Sequence, residues 1–174
     1  MEYAPRRPHP SLMTIDAQTF RLTLGQFVTG VTVIAMDVDG DVRAMTVNSF
    51  TSVSLEPPLV LFCAGKDSKM GRFADEATGF SVSILTQGQQ DVSSYFAGAW
   101  TGAPPPFSFV PWIGGPRLEG SAAAIGCGLH AVHDGGDHWI VVGRVLATHR
   151  TTDPREPLTY YGGRYRALDQ DGGR

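Results

Sequence analysis

Cysteine is scarce in this chain: two in 174 residues, Cys63 and Cys127. Two thiols cannot build a disulfide framework, and these two form no CxxC, so neither a stapled secreted domain nor a dithiol redox motif is expected. Charge is also scarce. Asp, Glu, Lys and Arg make up 18% of the residues, against about a quarter in ordinary soluble domains. A weakly charged surface leaves room for a subunit interface. The net charge is -3, and no Lys/Arg-rich run appears, which argues against a nucleic-acid partner. No apolar run reaches the roughly 18 residues of a membrane helix, so no membrane span is expected. The start, MEYAPRRPHPSLMTI, has Arg6 and Arg7 but no signal-type apolar stretch. These absences together describe a cytoplasmic protein with a flexible leader over residues 1–15.

Most familiar catalytic motifs are missing as well. No GxGxxG follows a strand and no GxxxxGK[ST] occurs, so a nicotinamide cofactor, if used, is not held in a Rossmann cradle. There is no GxSxG elbow. Cys127, His130, His133 and His138 have metal-ligand chemistry at close spacing. Their segment reads as a strand, however, where side chains alternate between faces. Cys127 and His133 share a parity and His130 has the other. Convergence on one ion requires a broken strand, and a plain strand histidine is the preferred reading.

What is present is turn chemistry and short apolar runs. Gly 21 and Pro 12 suit an all-β or α+β protein. A chain of this length hides roughly two thirds of its unfolded surface, enough for a real core. Asp16 is a candidate N-cap for a helix whose apolar face runs Phe20, Leu24, Phe27, Val28, with Gly30 as its stop. Val31–Met36, Asp39-Gly40 and Val42–Val47 read as a hairpin. Leu59–Cys63 and Phe80–Leu85 read as strands. Ser68–Glu76 and Gln89–Phe96 read as short helices. The loop from Ala97 to Phe109, with Pro104–Pro106, sits mid-domain as a lid or rim rather than a linker. Ser121–Val132 and His138–Thr148 are long strands joined by the HDGGD turn, and Leu158–Tyr161 is the last strand. The whole is expected to be mainly β: a β-barrel with short helices over residues 16–168, followed by a disordered tail over 169–174.

Three segments carry candidate chemistry. Met45–Ser54 interleaves Thr46, Asn48, Ser49, Thr51, Ser52 and Ser54 with apolar residues. It reads either as an ordinary two-faced strand or as a groove for a flat ligand with polar edges, such as a flavin. GKDSKMGR, residues 65–72, places Lys66, Ser68, Lys69 and Arg72 at an expected helix start, as a phosphate site or a solvated first turn. HDGGDH, residues 133–138, presents a histidine at a strand start.

Taken together, these pieces resemble a known family. FRLTLGQFVTGVTVI (residues 20–34), MTVNSFTSVSLEPPLVLFC (45–63), the Ser68 segment, FSVSILTQGQQDVSSYFAG (80–98), GGDHWIVVGRV (135–145) and PLTYYGGRY (157–165) occur in family order. The chain resembles the flavin reductase-like, FMN-binding split-barrel family. Within it, the chain is similar to the short-chain NAD(P)H:flavin reductases that serve two-component flavin-dependent monooxygenases. The resemblance implies a split β-barrel with Greek-key-like topology, a homodimer, and flavin in a groove near the subunit interface. Carried over by position, Arg43, Ala44, Met45, Thr46, Asn48 and Ser49 would contact the flavin ring and ribityl chain. Cys63, Ala64, Lys66, Ser68 and Lys69 would line the ribityl-phosphate end, and Ala97 and Gly98 would close the far side. His138, Tyr161, Gly162 and Gly163 match the nicotinamide side. Of these, His138 is expected to act in catalysis, as a hydrogen-bonding contact rather than an essential acid or base.

The implied reaction is hydride transfer from NADH or NADPH to FMN or FAD, with reduced flavin passed to a partner monooxygenase. A flavin-holding electron carrier, a flavin-dependent oxidase of the same barrel type and a barrel without flavin are the rival readings. Two departures stand out. Arg43 occupies a position where relatives often have Gly, and Pro105–Phe107 reads Pro-Pro-Phe where relatives often have Asp-Lys-Phe.

Overall fold

The computed structural model describes residues 15–74, 76–153 and 155–168. The expected leader, apart from Ile15, and the expected tail over 169–174 lie outside these residues. In chain order the elements are α1 (Ala17–Leu24), β1 (Thr29–Gly30), β2 (Thr32–Val38), β3 (Asp41–Val47), β4 (Thr51–Leu55), β5 (Pro58–Gly65), a 3-10 turn (Gly71–Phe73), β6 (Gly79–Ile84), a second 3-10 turn (Gln87–Gln89), α2 (Gln90–Phe96), β7 (Phe109–Val110), β8 (Arg117–Leu118), β9 (Ala123–Asp134), β10 (His138–Arg150), β11 (Thr159–Tyr161) and β12 (Arg164–Arg166).

Seven strands form one antiparallel sheet in the order β3-β2-β6-β9-β10-β5-β4. Its hairpins follow local chemistry. Asp39 and Gly40 both have positive φ, 54° and 86°, the geometry that matches the twist of a two-residue hairpin. The Asp37 carboxylate accepts the Gly40 amide at 2.9 Å. The sheet curls until strands far apart in its order share one core. Ile34 and Met36 of β2, Val47 of β3, Phe62 and Ala64 of β5, Phe80 of β6, Cys127 of β9 and Val141 of β10 are buried in a single cluster. The sheet is not closed: β3 and β4 are its two edges, which makes the architecture a split barrel. A second cluster, with Val31, Val33, Leu85, Val92, Leu118 and Leu158, lies where α2 and the β11–β12 hairpin cover the other side of β2.

Several expectations change in detail. Asp16 caps α1, accepting from the Gln18 and Thr19 amides. The helix stops at Leu24 rather than near Gly30, because the chain is already turning into β1, which pairs with β11. Gly162 N–H donates to the Gly25 carbonyl at 2.8 Å. The expected helix over Ser68–Glu76 is only the 3-10 turn Gly71–Phe73. There the Ser68 hydroxyl takes the Gly71 amide at 2.9 Å, while Met70 and Ala74 are drawn into the core on either side. The last strand is followed by β12, which sequence reading missed.

β9 and β10 pair with two irregularities. His130 is the extra residue on β9, and Leu146 the extra residue on β10. The bulge at His130 reverses the face sequence. Cys127 therefore points into the core, while His133 lies opposite Ile140 on the other face. Shared parity in the sequence does not place these two together. Among the described residues, no group of three or more His, Cys, Asp or Glu is arranged to hold a metal.

Between the two bulges lies Gly143. A Cβ there would come 2.7 Å from Phe80 Cε1 and 2.8 Å from Cys127 Cβ, and closer still to Phe80 Cζ. Phe80 is itself fully buried, edge-on to Phe62 with centroids 5.0 Å apart. Gly143→Ala is expected to destabilise the protein by about 1–3 kcal/mol, the usual cost of overpacking. Urea unfolding measures this, and an unchanged midpoint would contradict the packing described.

Candidate functional site

The sequence-predicted residues of β3 divide between two faces. Ile34 faces Met45 and Met36 faces Arg43; Met45 packs on the inner core, while the Arg43 side chain remains 39% exposed. Ala44 and Thr46 turn the other way, toward α2: Ala44 packs in the second cluster, and the Thr46 hydroxyl donates to the Ser93 carbonyl at 2.7 Å. The Ser93 hydroxyl lies 2.9 Å from the Tyr165 hydroxyl, which links β3 through α2 to β12. Ala97 and Gly98 end α2, with Gly98 at φ 74°, and their amides close the helix on the Ser93 and Tyr95 carbonyls.

Beyond β3 the chain joins β5. Thr51 pairs with Leu61, so Ser49 stands where the next ladder residue would face Cys63. Its hydroxyl completes the ladder. It donates to the Cys63 carbonyl and accepts the Cys63 amide, both at 3.1 Å. Asn48 lines a groove of about 340 Å³. Phe27, Val28, Phe50 and Ile84 make its apolar walls, and Thr29, Thr32 and Thr51 add hydroxyls. The Thr29 hydroxyl is buried and has no partner. A buried hydroxyl without a partner costs about 1–3 kcal/mol, so it is available to a ligand. Of the predicted residues, Asn48 alone lines this groove. A larger surface groove of about 470 Å³, between Gly88–Gln89, Pro106–Ser108 and Glu119–Gly120, contains none of them.

The end of β5 meets the start of β10. His138 pairs with Gly65 and Trp139 with Ala64. The Lys66 amide donates to the Asp137 carbonyl at 3.0 Å. His138 Nδ1 lies 2.8 Å from Asp137 Oδ1, which orients the ring. The Lys66 ammonium binds Asp134 Oδ2 and stands 4.5 Å from the centroid of the Trp139 ring. Hydrogen bonds from Lys66 and the Gly136 amide hold the Asp134 carboxyl below its usual range. The imidazole of His138 does the same to Asp137. The Ser68 hydroxyl accepts from Gly71, so its own hydrogen remains free to donate. Lys69 is exposed.

Arg43 lies against the 3-10 turn Gly71–Phe73. Its guanidinium bonds Asp41 at 3.0 Å and sits 5.7 Å from the Phe73 ring, and its Nε is buried without a partner. Tyr161, Gly162 and Gly163 lie elsewhere, against the end of α1. The Tyr161 hydroxyl donates to Gln26 Oε1 at 2.9 Å, and both glycines have positive φ. Among the described residues, no hydrogen bond or ion pair joins this hairpin to His138.

Residues 24–169 match the family described as flavin reductase like domain. The chain belongs to that family. A reductase subunit of a flavin-dependent monooxygenase, HsaB of Rhodococcus jostii, is 40% identical over 161 residues, 90% of this chain and 80% of its own. The flavin reductase PheA2 has a solved structure with TM-score 0.84 at 36% identity, covering 90% of this chain and all of that one, 100%. The NADH:FAD oxidoreductase SgcE6 of Streptomyces globisporus, solved in complex with NAD and FAD fragments, has TM-score 0.82 at 37% identity, covering 91% and 96%.

Sequence reading missed Thr29, Phe27 and Val28 as groove residues, because Phe27 and Val28 were assigned to a helix face. It also missed Asp134, Asp137 and Trp139 as partners of Lys66 and His138. Their signal was the pair of acids flanking the glycines of HDGGDH. Ser49→Ala removes the bridge to Cys63. Exchange of the Cys63 amide is expected to speed up about fivefold, the equivalent of one net hydrogen bond. Hydrogen-exchange NMR reads this, and unchanged protection would contradict the ladder role of the hydroxyl.

Proposed function

We propose that this protein is an NAD(P)H-dependent flavin reductase that passes reduced FMN or FAD to a separate monooxygenase. The observation that carries the reading is the groove at Asn48. It combines apolar walls with an unpartnered buried hydroxyl at Thr29. A flavin needs both: packing for its ring, and donors or acceptors for its pyrimidine edge. The names of HsaB and SgcE6 agree with this reading, and the SgcE6 name favours NADH. Bound flavin supplies the hydride acceptor, and the chemistry resides in the two cofactors.

The chain's own contribution is placement. Phe27, Val28, Phe50 and Ile84 exclude water from one side of the groove, while Thr29 and Asn48 fix an edge. Met45 and Ala64 are packed in the core and serve through their main chain. Ser49 and Cys63 keep β5 in register beside the groove. Ser68, Lys66, Lys69 and Arg43 offer cations and a donor to an anionic end. Asp137 occupies Nδ1 of His138, leaving Nε2 as the nitrogen that can contact a second ring. Ala97 and Gly98 form a far rim. The Tyr161-Gly162-Gly163 turn presents bare backbone to a nicotinamide. No acid, base or nucleophile is required, since reduction consumes NAD(P)H and one proton from water.

The working unit is the split barrel over 16–168, acting as a homodimer in the cytoplasm. Support for the dimer comes from α1, which buries none of its residues. Phe20 is 54% exposed and Phe27 75%, an apolar surface that a second copy would cover. Two free thiols suit a reducing compartment. Sedimentation at micromolar concentration is expected to give twice the chain mass, and a monomer would sink the dimer.

Mixing the protein with NADH and excess FMN or FAD is expected to oxidise many equivalents of NADH per chain. Flavin binding without NADH or NADPH loss would overturn the reductase in favour of an electron carrier. In the same assay, His138→Ala is expected to slow hydride transfer more than it weakens flavin binding. An unchanged single-turnover rate would remove His138 from the site.

A further inference from the structure

Lys66 is held at three points, one on its backbone and two on its ammonium. Its backbone amide is fixed to the Asp137 carbonyl at 3.0 Å. Its stem brings the charge over the Trp139 ring, 4.5 Å from the centroid. Its ammonium then binds Asp134 Oδ2. The carboxylate is itself anchored, because Asp134 Oδ1 accepts the Gly136 amide at 3.0 Å. Asp134 also pairs with Trp139 across β9 and β10, and Trp139 with Ala64 across β10 and β5. The carboxylate, the ring and the start of the Lys66 turn are thus placed by three adjacent strands.

We propose that Asp134 is a positioning residue that sets flavin affinity by competing with the flavin phosphate for Lys66. This rests on the reading above that Lys66 lines the phosphate end. The pair suits exchange rather than permanence. The Lys66 side chain is 30% exposed and that of Asp134 69%, and exposed ion pairs contribute about 0–1 kcal/mol. A phosphate carries about -1.5 to -2 charges near neutrality, so it outbids a single carboxylate. Trp139 holds the ammonium within reach of either anion. When flavin leaves, Asp134 takes the ammonium back, so Lys66 is not left without a counter-charge. A reductase that must release its product gains from such a returning partner.

Binding of FMN and of riboflavin, which lacks the phosphate, separates the possibilities. Asp134→Asn is expected to tighten FMN about threefold relative to riboflavin, the scale of one exposed ion pair. Asp134→Glu is expected to return the FMN-to-riboflavin ratio toward that of the natural chain. Lys66→Met is expected to lower that ratio, and adding Asp134→Asn to Lys66→Met is expected to change it no further. A generic structural effect of Asp134 would move both ligands alike and would overturn the proposal. A ratio unchanged or lowered by Asp134→Asn, with Lys66→Met still lowering it, would overturn the proposal and leave the phosphate reading standing. A ratio unmoved by Lys66→Met would overturn both.

Discussion

Phe80 reaches across the inside of the curled sheet and rests on the bare main chain of Gly143, with Phe62 standing edge-on beside it and the Cys127 thiol filling the remaining space. Burial pushes that thiol up to about 12, so it packs as a neutral apolar group. This contact binds β5, β6, β9 and β10 into one interior. A side chain at 143 would press on Phe80 and Cys127 and strain the packing that holds this curl. The rest of the architecture depends on that curl.

The candidate site is a product of the same curl. Strands β3 and β5 stand four strands apart in the sheet order, β2, β6, β9 and β10 intervening, yet Val47 and Phe62 meet in one cluster. The connection after β3 can then cross to β5, where Ser49 closes on Cys63. Two residues further along β5 the same register sets His138 against Gly65 and leaves Lys66 beside Asp134 and Trp139. Polar groups with spare bonding capacity therefore gather along the seam of the barrel, while its inside stays apolar.

Much of this was legible in the chain alone. Alternation and turn residues placed the β2–β3 hairpin, β6, β9, β10 and α2 to within a few positions, since local φ preferences and period-2 burial act over a few residues. The ordered fragments led correctly to the flavin reductase family and the split barrel. Other features depended on distant partners. The turn at Gly71 is set by Gly65 and the core around it, so local helix signals over Ser68–Glu76 misled. The end of α1 is set by β11, which lies more than 130 residues away. Within the expected site, the run Arg43–Thr46 does not form one surface: strand alternation turns Met45 to the core and Ala44 and Thr46 toward α2, while Arg43 stays half-exposed beside Phe73. A bulge is also silent in a sequence, which is why Cys127 and His133 seemed to share a face.

The two bulges of the β9–β10 pair carry a consequence for how this fold can vary. Trp139 pairs with Asp134, Gly143 with Leu129, and Ala147 with Gly126. The extra residue at His130 is thus cancelled by the extra residue at Leu146, and the ladder returns to its starting register. Only the stretch around Gly143 runs one step out of phase. A deletion of either extra residue alone would remove its bulge and leave every other side chain on its own face, because the residues on its two sides already alternate. Paired deletions at both would restore a continuous ladder. Each strand of this hairpin can therefore shorten by its one extra residue independently of the other, whereas a one-residue deletion elsewhere in the ladder would turn the stretch beyond it inside out.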